Sequence, residues 1–225
     1  MYALTSNRLR LVLFSILLMT QFPSFKVEAA AEILDKFPEQ LVDGEKYIIY
    51  LHGRIIEDKG IRPTHPIFGI YEYHDLLDSF AAMRYTVISE VRKPNTNPQE
   101  YAAHIRKQIH RYQQQDKADL NLVGFSKGAV ITLLVSSQLD YPTINYAILA
   151  GCWQSITEQD MQLSGNILSL YDVSDFVGSC TPLIDKSYKR TTFREEVFDT
   201  GKSHGLFFKP DATWQKPLSE WLEAN

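Results

Sequence analysis

The feature that most constrains the fold is an alternation of short apolar runs with longer amphipathic segments. Five apolar runs are rich in β-branched and aromatic residues and have the length of strands: 47–51, 86–91, 120–123, 145–150 and 166–171. The stretch 193–198, which carries three charged residues, is predicted as the last strand. Between them, segments such as 99–115 carry apolar residues at helical spacings, which predicts amphipathic helices. Strands that are apolar almost throughout and alternate with helices are typical of a parallel sheet covered on both faces. The sequence therefore predicts an α/β fold with a mostly parallel sheet of about six strands.

The length and composition of the chain favour one globular domain. It has 225 residues, of which 44% are hydrophobic and 22% are charged, which suffices for one well-buried core. No stretch between the predicted elements has the composition of an interdomain linker, so 30–225 is predicted to form a single domain. The formal net charge is −4, and a nucleic-acid partner is not indicated, because such partners select basic surfaces.

The N-terminal segment has the composition of a targeting sequence. Two arginines precede the apolar run 11–19, and small residues follow it, including Ala29 and Ala31. A basic start, a short apolar run and a small-residue exit are typical of a secretory signal peptide. We therefore predict a signal peptide at 1–29, cleaved after Ala29 or Ala31, and a secreted or periplasmic protein without a stable membrane anchor. An uncleaved anchor or a buried helix is the alternative, although a membrane span needs roughly 20 apolar residues.

Ser126 lies in the sequence GFSKG, directly after a predicted strand and directly before a predicted helix. A serine between two glycines at this place is typical of a nucleophile elbow, a sharp turn that exposes the hydroxyl above the carboxyl edge of a sheet. Gly124 and Gly128 would avoid Cβ clashes in that turn, and the start of the following helix would favour a developing negative charge. The alternative is an ordinary strand–helix turn with a capping serine.

His204 and Asp175 are the candidates for the base and the acid that a nucleophilic serine needs. His204 is one of six histidines, and it follows the last predicted strand, at the sheet edge where catalytic groups collect. The acid is expected between the serine and the histidine in chain order, and the sequence DVSD after the strand at 166–171 offers two. We favour Asp175, which lies farther into the loop, over Asp172, which would brace the loop.

Two backbone N–H groups are expected to bind the oxyanion that the attack creates. One belongs to Lys127, the residue after the serine, and the other to Arg54 or Gly53 in the sequence LHGR after the strand at 47–51. His52, in the same sequence, is expected to shape the loop by local hydrogen bonds rather than to act as the base. The sequence assigns no single role to the side chain of Lys127, which could face solvent, pair with a carboxylate or favour an anionic substrate.

The order of the sequences LHGR, GFSKG, DVSD and KSHG resembles that of the α/β-hydrolase family. The chain is similar to small, capless members of dienelactone-hydrolase or acyl-esterase type. The resemblance implies hydrolysis of an ester-type acyl bond through Ser126, His204 and Asp175 by way of an acyl-enzyme, with a small acyl substrate and no cofactor or metal ion. The same residues could serve a thioesterase, a peptidase or an acyltransferase, or the fold could be a catalytically silent binding protein.

The resemblance leaves open which segment covers the site, and the candidates are the loop predicted at 54–70 and the segment at 153–161. Four aromatic residues in or near these segments could line a substrate pocket: Phe68, Tyr71, Trp153 and Phe176. Aromatic residues are more often part of the core, which is the alternative.

Cys152 and Cys180 are the two cysteines of the chain. In the α/β arrangement they follow neighbouring strands on the carboxyl side, so a bridge between the two loops is geometrically possible. In an oxidising compartment we expect this disulfide, which would brace the loop with Asp175. Two small buried thiols are the alternative.

Overall fold

A parallel β-sheet forms the centre of the computed structural model, which describes residues 31–115 and 118–225. The predicted signal peptide at 1–29 lies outside the described residues. The strands in this part of the chain are β1 Ile33–Leu34, β2 Lys46–Leu51, β3 Thr64–His65, β4 Gly69–Ile70, β5 Thr86–Ile88, β6 Asp119–Phe125, β7 Asn145–Leu149, β8 Gly165–Asp172 and β9 Arg190–Phe198. The α-helices are α1 Arg54–Lys59, α2 Tyr73–Ala82, α3 Pro98–Gln115, α4 Lys127–Gln138, α5 Gln154–Thr157, α6 Thr181–Ile184 and α7 Ala212–Ala224. A 3₁₀ turn at Ser203–Phe207 follows the last strand.

Seven of the strands pair in parallel in the order β1-β5-β2-β6-β7-β8-β9, and β3 and β4 form a separate antiparallel hairpin. From β2 the chain moves to β5 on one side and then returns to β6 on the other side of β2. Connections that leave in opposite directions open a crevice at the carboxyl ends of the strands, where ligands bind in sheets of this kind. Here the crevice lies between the ends of β2 and β6, at Leu51 and Phe125.

The predicted parallel sheet is confirmed, with one strand more than expected. The additional strand is β1, in a segment that the sequence indicates as a short helix or lead-in. It pairs with the region of β5, where Val87 N–H donates to Glu32 O at 2.7 Å and Ser89 N–H donates to Leu34 O at 2.9 Å. A strand of two residues is too short to show an alternating pattern, so its pairing has no signal in the sequence.

Helices cover both faces of the sheet, which explains why its central strands β2, β6, β7 and β8 are buried almost throughout. In β2, Ile49 and Leu51 face a core formed with α3 and α4, whereas Ile48 and Tyr50 face a core formed with α2 and α7. None of these four side chains is more than 2% exposed. Full burial of a side chain of this kind stabilises the fold by about 1.5–3 kcal/mol, so β2 anchors both halves of the core.

A disulfide joins Cys152, just after β7, to Cys180, just before α6, with a Cα–Cα distance of 5.1 Å. Glu195 in β9 holds the same region, because its carboxylate accepts hydrogen bonds from Cys180 N–H at 2.8 Å and from Ser179 Oγ at 2.5 Å. The loop between β8 and α6 is therefore fixed by one covalent bond and by hydrogen bonds to the neighbouring strand.

The strand connections within the described ranges contain no inserted cap domain, as the sequence predicts. The segment 54–70, which contains α1 and the β3–β4 hairpin, borders the crevice instead. Across residues 31–115 and 118–225, every helix falls short of the length and apolar character that a membrane crossing requires.

Candidate active site

Ser126 is the residue at the turn between β6 and α4. Its backbone has φ 54° and ψ −116°, and a non-glycine residue adopts a positive φ of this kind only where the surrounding structure enforces it. Two backbone hydrogen bonds do so here: Ser126 N–H donates to Leu149 O at 2.9 Å, and Ser126 O accepts from Val130 N–H at 3.1 Å. The strand therefore ends abruptly, with Ser126 at the crevice.

The two glycines that flank Ser126 are required by the close approach of neighbouring groups. A Cβ at Gly124 would lie 2.3 Å from Thr132 Oγ1 and 2.5 Å from Gly128 O. A Cβ at Gly128 would lie 1.8 Å from Leu51 O. The first turn of α4 thus packs directly on the end of β2, which brings Ser126 next to the LHGR loop.

His204 lies in the 3₁₀ turn after β9 and is bonded to Asp175. The distance from His204 Nδ1 to Asp175 Oδ2 is 2.8 Å, His204 is 7% exposed, and the Asp175 carboxylate is fully buried. Because Asp175 accepts a hydrogen bond from His204 Nδ1, the proton lies on Nδ1, and Nε2 is the nitrogen that can take up a proton as a base. His204 and Ser126 line the same cavity.

Asp172 braces the two loops that carry the His204–Asp175 pair. Its Oδ1 accepts hydrogen bonds from Ser174 N–H and Oγ, and its Oδ2 accepts from Thr200 N–H and Oγ1. Burial alone would raise the pKa of this carboxyl, but the four hydrogen bonds outweigh burial and lower the pKa to about 2. The loop after β8 and the loop after β9 are thereby held together at one carboxylate.

The two backbone segments that the sequence assigns to an oxyanion site both lie beside Ser126. A Cβ built at Gly53 would lie 3.6 Å from Ser126 Cβ, so the backbone of the LHGR loop is adjacent to the serine. Arg54 and Lys127 are the first residues of α1 and α4, and N–H groups in the first turn of a helix have no acceptor within that helix. These groups have the character of oxyanion donors.

His52 is fixed within its loop and is not available as a base. It is fully buried, its Nδ1–H donates to Gly53 O at 2.9 Å, and its Nε2 accepts from Arg92 N–H at 3.0 Å. Burial, followed by the positive charge of Arg92, lowers the pKa of His52 to about 3. A neutral imidazole with both nitrogens engaged does not take up a proton near neutral pH.

Solved structures of hydrolases share this architecture. One, described as a YdeN-like hydrolase from Pectobacterium atrosepticum, is 16% identical, with a TM-score of 0.54 over 80% of this chain and 92% of that chain. A CIB-like hydrolase from Thermoplasma acidophilum is 14% identical, with a TM-score of 0.53 over 82% of this chain and 90% of that chain. The esterase Pf2001 from Pyrococcus furiosus is 10% identical, with a TM-score of 0.55 over 81% of each chain. No family model and no curated protein matches the chain.

These likenesses, together with the strand order, decide the architecture. The chain has the α/β-hydrolase fold. In this α/β-hydrolase fold the serine turn, the LHGR loop and the His204–Asp175 pair all lie at the carboxyl edge of the sheet, which is where ligands bind in open parallel sheets.

An aromatic cavity of about 440 Å³ opens at Ser126. Its apolar wall is formed by Ile55, Ile67, Phe68, Phe125, Phe176 and Phe208. The segment 54–70 contributes much of this wall, so one of the two segments expected to cover the site does border it. Trp153, from the other segment, packs against Phe176 with ring centroids 4.8 Å apart, whereas Tyr71 is fully buried in the core.

Sequence reasoning missed Glu57 and Arg92, which lie behind the LHGR loop. Glu57 Oε1 is 2.8 Å from Arg92 Nε, and Glu57 Oε2 is 2.5 Å from Lys127 Nζ. These contacts join residues that are 35 and 70 positions apart in the chain, and no local pattern indicates a pairing over such distances. The side chain of Lys127, which has no single role assigned from sequence, therefore has a buried carboxylate as its partner.

Proposed function

We propose that this protein is a serine hydrolase that cleaves an ester-type acyl bond. The observation that carries the proposal is the cavity shared by Ser126 and His204. In it, a serine with an enforced positive φ accompanies a histidine whose Nδ1 is bonded to a buried carboxylate. Backbone strain and buried ionisable pairs cost stability and cluster at functional sites. The hydrolase fold and the hydrolase descriptions of similar structures give further support.

In the proposed reaction, Ser126 Oγ attacks the ester carbonyl carbon while His204 Nε2 takes the hydroxyl proton. Asp175 orients the imidazole and stabilises the imidazolium that forms. The carbonyl oxygen becomes an oxyanion, which is stabilised by the N–H of Lys127 and by that of Arg54 or Gly53. His204 then protonates the departing alkoxide, so an alcohol leaves and an acyl-enzyme remains. A water molecule, deprotonated by His204, hydrolyses the acyl-enzyme and restores Ser126.

The cavity favours a substrate whose acyl or alcohol group is apolar and larger than acetyl. Six aliphatic or aromatic side chains line the cavity, alongside His65 and the charged Arg54, Asp58 and Lys59. Apolar surfaces of this kind bind by removing apolar ligand surface from water. A volume of about 440 Å³ accommodates a medium-length aliphatic chain or an aromatic ring.

We also infer that the protein acts outside the cytoplasm, in the periplasm or as a secreted enzyme. Export is favoured by the signal-like sequence at 1–29. The Cys152–Cys180 disulfide is in keeping with this inference, because such bonds persist in oxidising compartments.

Labelling with a fluorophosphonate probe tests the proposed function. We expect the wild-type protein to be labelled at Ser126, as mapped by peptide mass spectrometry, and Ser126→Ala to be unlabelled while retaining its circular dichroism spectrum and melting temperature. Labelling of Ser126→Ala at the wild-type level would show that another residue reacts.

A substrate panel distinguishes an esterase from a thioesterase or a peptidase that would use the same residues. We expect p-nitrophenyl esters with acyl chains from acetyl to decanoyl to be hydrolysed, with the highest kcat/KM in the middle of the series. Turnover of the matched thioesters or peptide anilides, with the esters inert, would replace the esterase assignment by a thioesterase or a peptidase. A folded wild-type protein that neither reacts with the probe nor turns over any substrate would instead be a binding protein.

A further inference from the structure

We propose that Glu57, together with Arg92 and Lys127, positions the oxyanion site and leaves one net positive charge behind it. The inference rests on the proposed function and concerns the same site. It starts from an unusual group: the side chains of Glu57 and Arg92 are completely buried, and that of Lys127 is 16% exposed. Fully buried charged side chains are rare, because removing a charge from water costs free energy unless the charge is paired.

Arg92 sets the direction of the peptide group between His52 and Gly53. Its Nη2 donates to His52 O, and its backbone N–H donates to His52 Nε2 at 3.0 Å. In a trans peptide the N–H points away from the C=O, so the N–H of Gly53 points away from Arg92. Gly53 itself lines the cavity beside Ser126.

Glu57 connects the two elements that carry the proposed oxyanion donors. It lies on the first turn of α1, after Arg54, and its Oε2 reaches the side chain of Lys127 at the start of α4. Its other oxygen holds Arg92, and through Arg92 the LHGR loop. One carboxylate therefore fixes the spacing between the donor on the LHGR side and the donor on the α4 side.

The group also carries an imbalance of charge. Two cations share one carboxylate, and Nη1 of Arg92 is buried without an acceptor among the described residues. Coulomb interactions are weakly screened in a water-poor interior. A positive charge held behind the LHGR loop is costly in the resting protein and becomes favourable when the substrate oxygen turns into an anion. Glu57 and Arg92 thus position the backbone donors, and the side chain of Lys127 supplies positive charge behind them.

Three single variants test this inference. Lys127→Met keeps the backbone N–H and most of the side-chain volume but removes the charge, leaving Glu57 and Arg92 as a balanced pair. Lys127→Arg restores the charge and can bind Glu57. Lys216→Met is the matched control, because Lys216 is 78% exposed in α7 and its substitution changes the net charge equally.

We expect Lys127→Met to lower kcat on p-nitrophenyl butyrate by about 10- to 100-fold, less than the loss of a direct oxyanion donor, with KM within about twofold. Lys127→Arg should recover most of kcat, and Lys216→Met should equal the wild type. Phenylboronic acid, which forms a tetrahedral anion on a reactive serine, should bind Lys127→Met more weakly by a similar factor. A purely structural role would lower the melting temperature and the folded fraction, but would leave kcat and boronate affinity per folded molecule unchanged.

The outcomes separate this inference from the proposed function. If wild-type protein is labelled by the fluorophosphonate probe but Lys127→Met retains the kcat of Lys216→Met, the inference is wrong and the proposed function stands. The inference is also wrong if Lys127→Arg is as slow as Lys127→Met, because charge is then not the cause. If the folded wild-type protein is neither labelled nor active, the proposed function fails and this inference fails with it.

Discussion

At the scale of single residues, two aspartates three positions apart have different tasks. Both carboxylate oxygens of Asp172 accept hydrogen bonds, one from Ser174 and the other from Thr200, which fixes two loops. Asp175 directs one oxygen at His204 Nδ1 and uses the other to accept from Val177 N–H. Asp172 is thus placed to hold the two loops together and Asp175 to orient His204, and substitutions of the two should differ in kind.

Asp172→Asn should destabilise the fold in a manner that depends on pH. The pKa of Asp172 is about 2 in the folded protein, against 3.8 for an unperturbed aspartate. The stabilisation of the fold by its ionised carboxylate is therefore fully present above about pH 4 and is lost as pH falls toward 2. From this shift we expect a loss of about 2 kcal/mol near neutral pH that shrinks toward pH 2. Urea denaturation at pH 6, 4, 3 and 2 measures it.

Asp78→Asn, at an exposed acid of α2, is the control and should follow the wild-type curve. A difference between Asp172→Asn and the wild type that is the same at every pH would contradict the hydrogen-bonding explanation. Asp172→Asn should still react with the fluorophosphonate probe wherever it remains folded.

At the scale of elements, α1 and the β3–β4 hairpin replace a cap domain. The hairpin is held against the site because Phe68 packs on the 3₁₀ turn: a Cβ at Gly205 would lie 2.9 Å from Phe68 Cβ. Ile67, between the two hairpin strands, is 81% exposed yet lines the cavity. An exposed isoleucine at the edge of an apolar pocket contributes little to folding and is available to the substrate.

Ile67→Ser should therefore alter substrate preference without altering stability. Loss of apolar contact of this size corresponds to about 1 kcal/mol, so we expect KM for p-nitrophenyl octanoate to rise about fivefold, while kcat/KM for the acetate stays within twofold. Ile61→Ser is the matched control, because Ile61 is also exposed near the hairpin but lies outside the described cavity wall. Equal effects of both variants on the octanoate, or none, would show that the hairpin does not contact the acyl chain.

The elements also show where sequence interpretation succeeds and where it stops. Five of the six longer strands, β2, β5, β6, β7 and β8, are visible in the sequence because burial on both faces leaves continuous apolar runs. The segment 54–70, interpreted as a loop, contains α1 and the hairpin strands, each of six residues or fewer and too short for periodicity to register. Glu57 and Arg92 give no pattern in the sequence either. Their contacts with each other and with Lys127 form only when β2, β5 and β6 lie side by side.

At the scale of the whole molecule, the Cys152–Cys180 disulfide ties the loop with Asp175 to the centre of the sheet. It closes a separation of 28 residues, and a loop of that length corresponds to about 3.6 kcal/mol of stabilisation. The bond joins segments on either side of β8, so its loss should loosen the position of Asp175 as well as the global fold.

Cys152→Ser combined with Cys180→Ser should lower the free energy of unfolding by about 3.6 kcal/mol and should reduce kcat on p-nitrophenyl butyrate. Urea denaturation and steady-state kinetics measure the two effects. Wild-type protein unfolded and refolded in dithiothreitol serves as the comparison and should match the double variant. If the double variant and the reduced wild-type protein both unfold at the midpoint of the oxidised wild-type protein, the disulfide does not contribute to stability.

The distribution of the site along the chain has a consequence for how the protein gains activity. Gly53, Ser126, Asp175 and His204 follow four different strands of the sheet, β2, β6, β8 and β9. Helices can form from local contacts, but these parallel pairings close long loops and form late. During refolding, recovery of ester hydrolysis should therefore lag behind recovery of the helical circular dichroism signal. A chain in which these parallel pairings have not yet formed is expected to lack the proposed hydrolase activity.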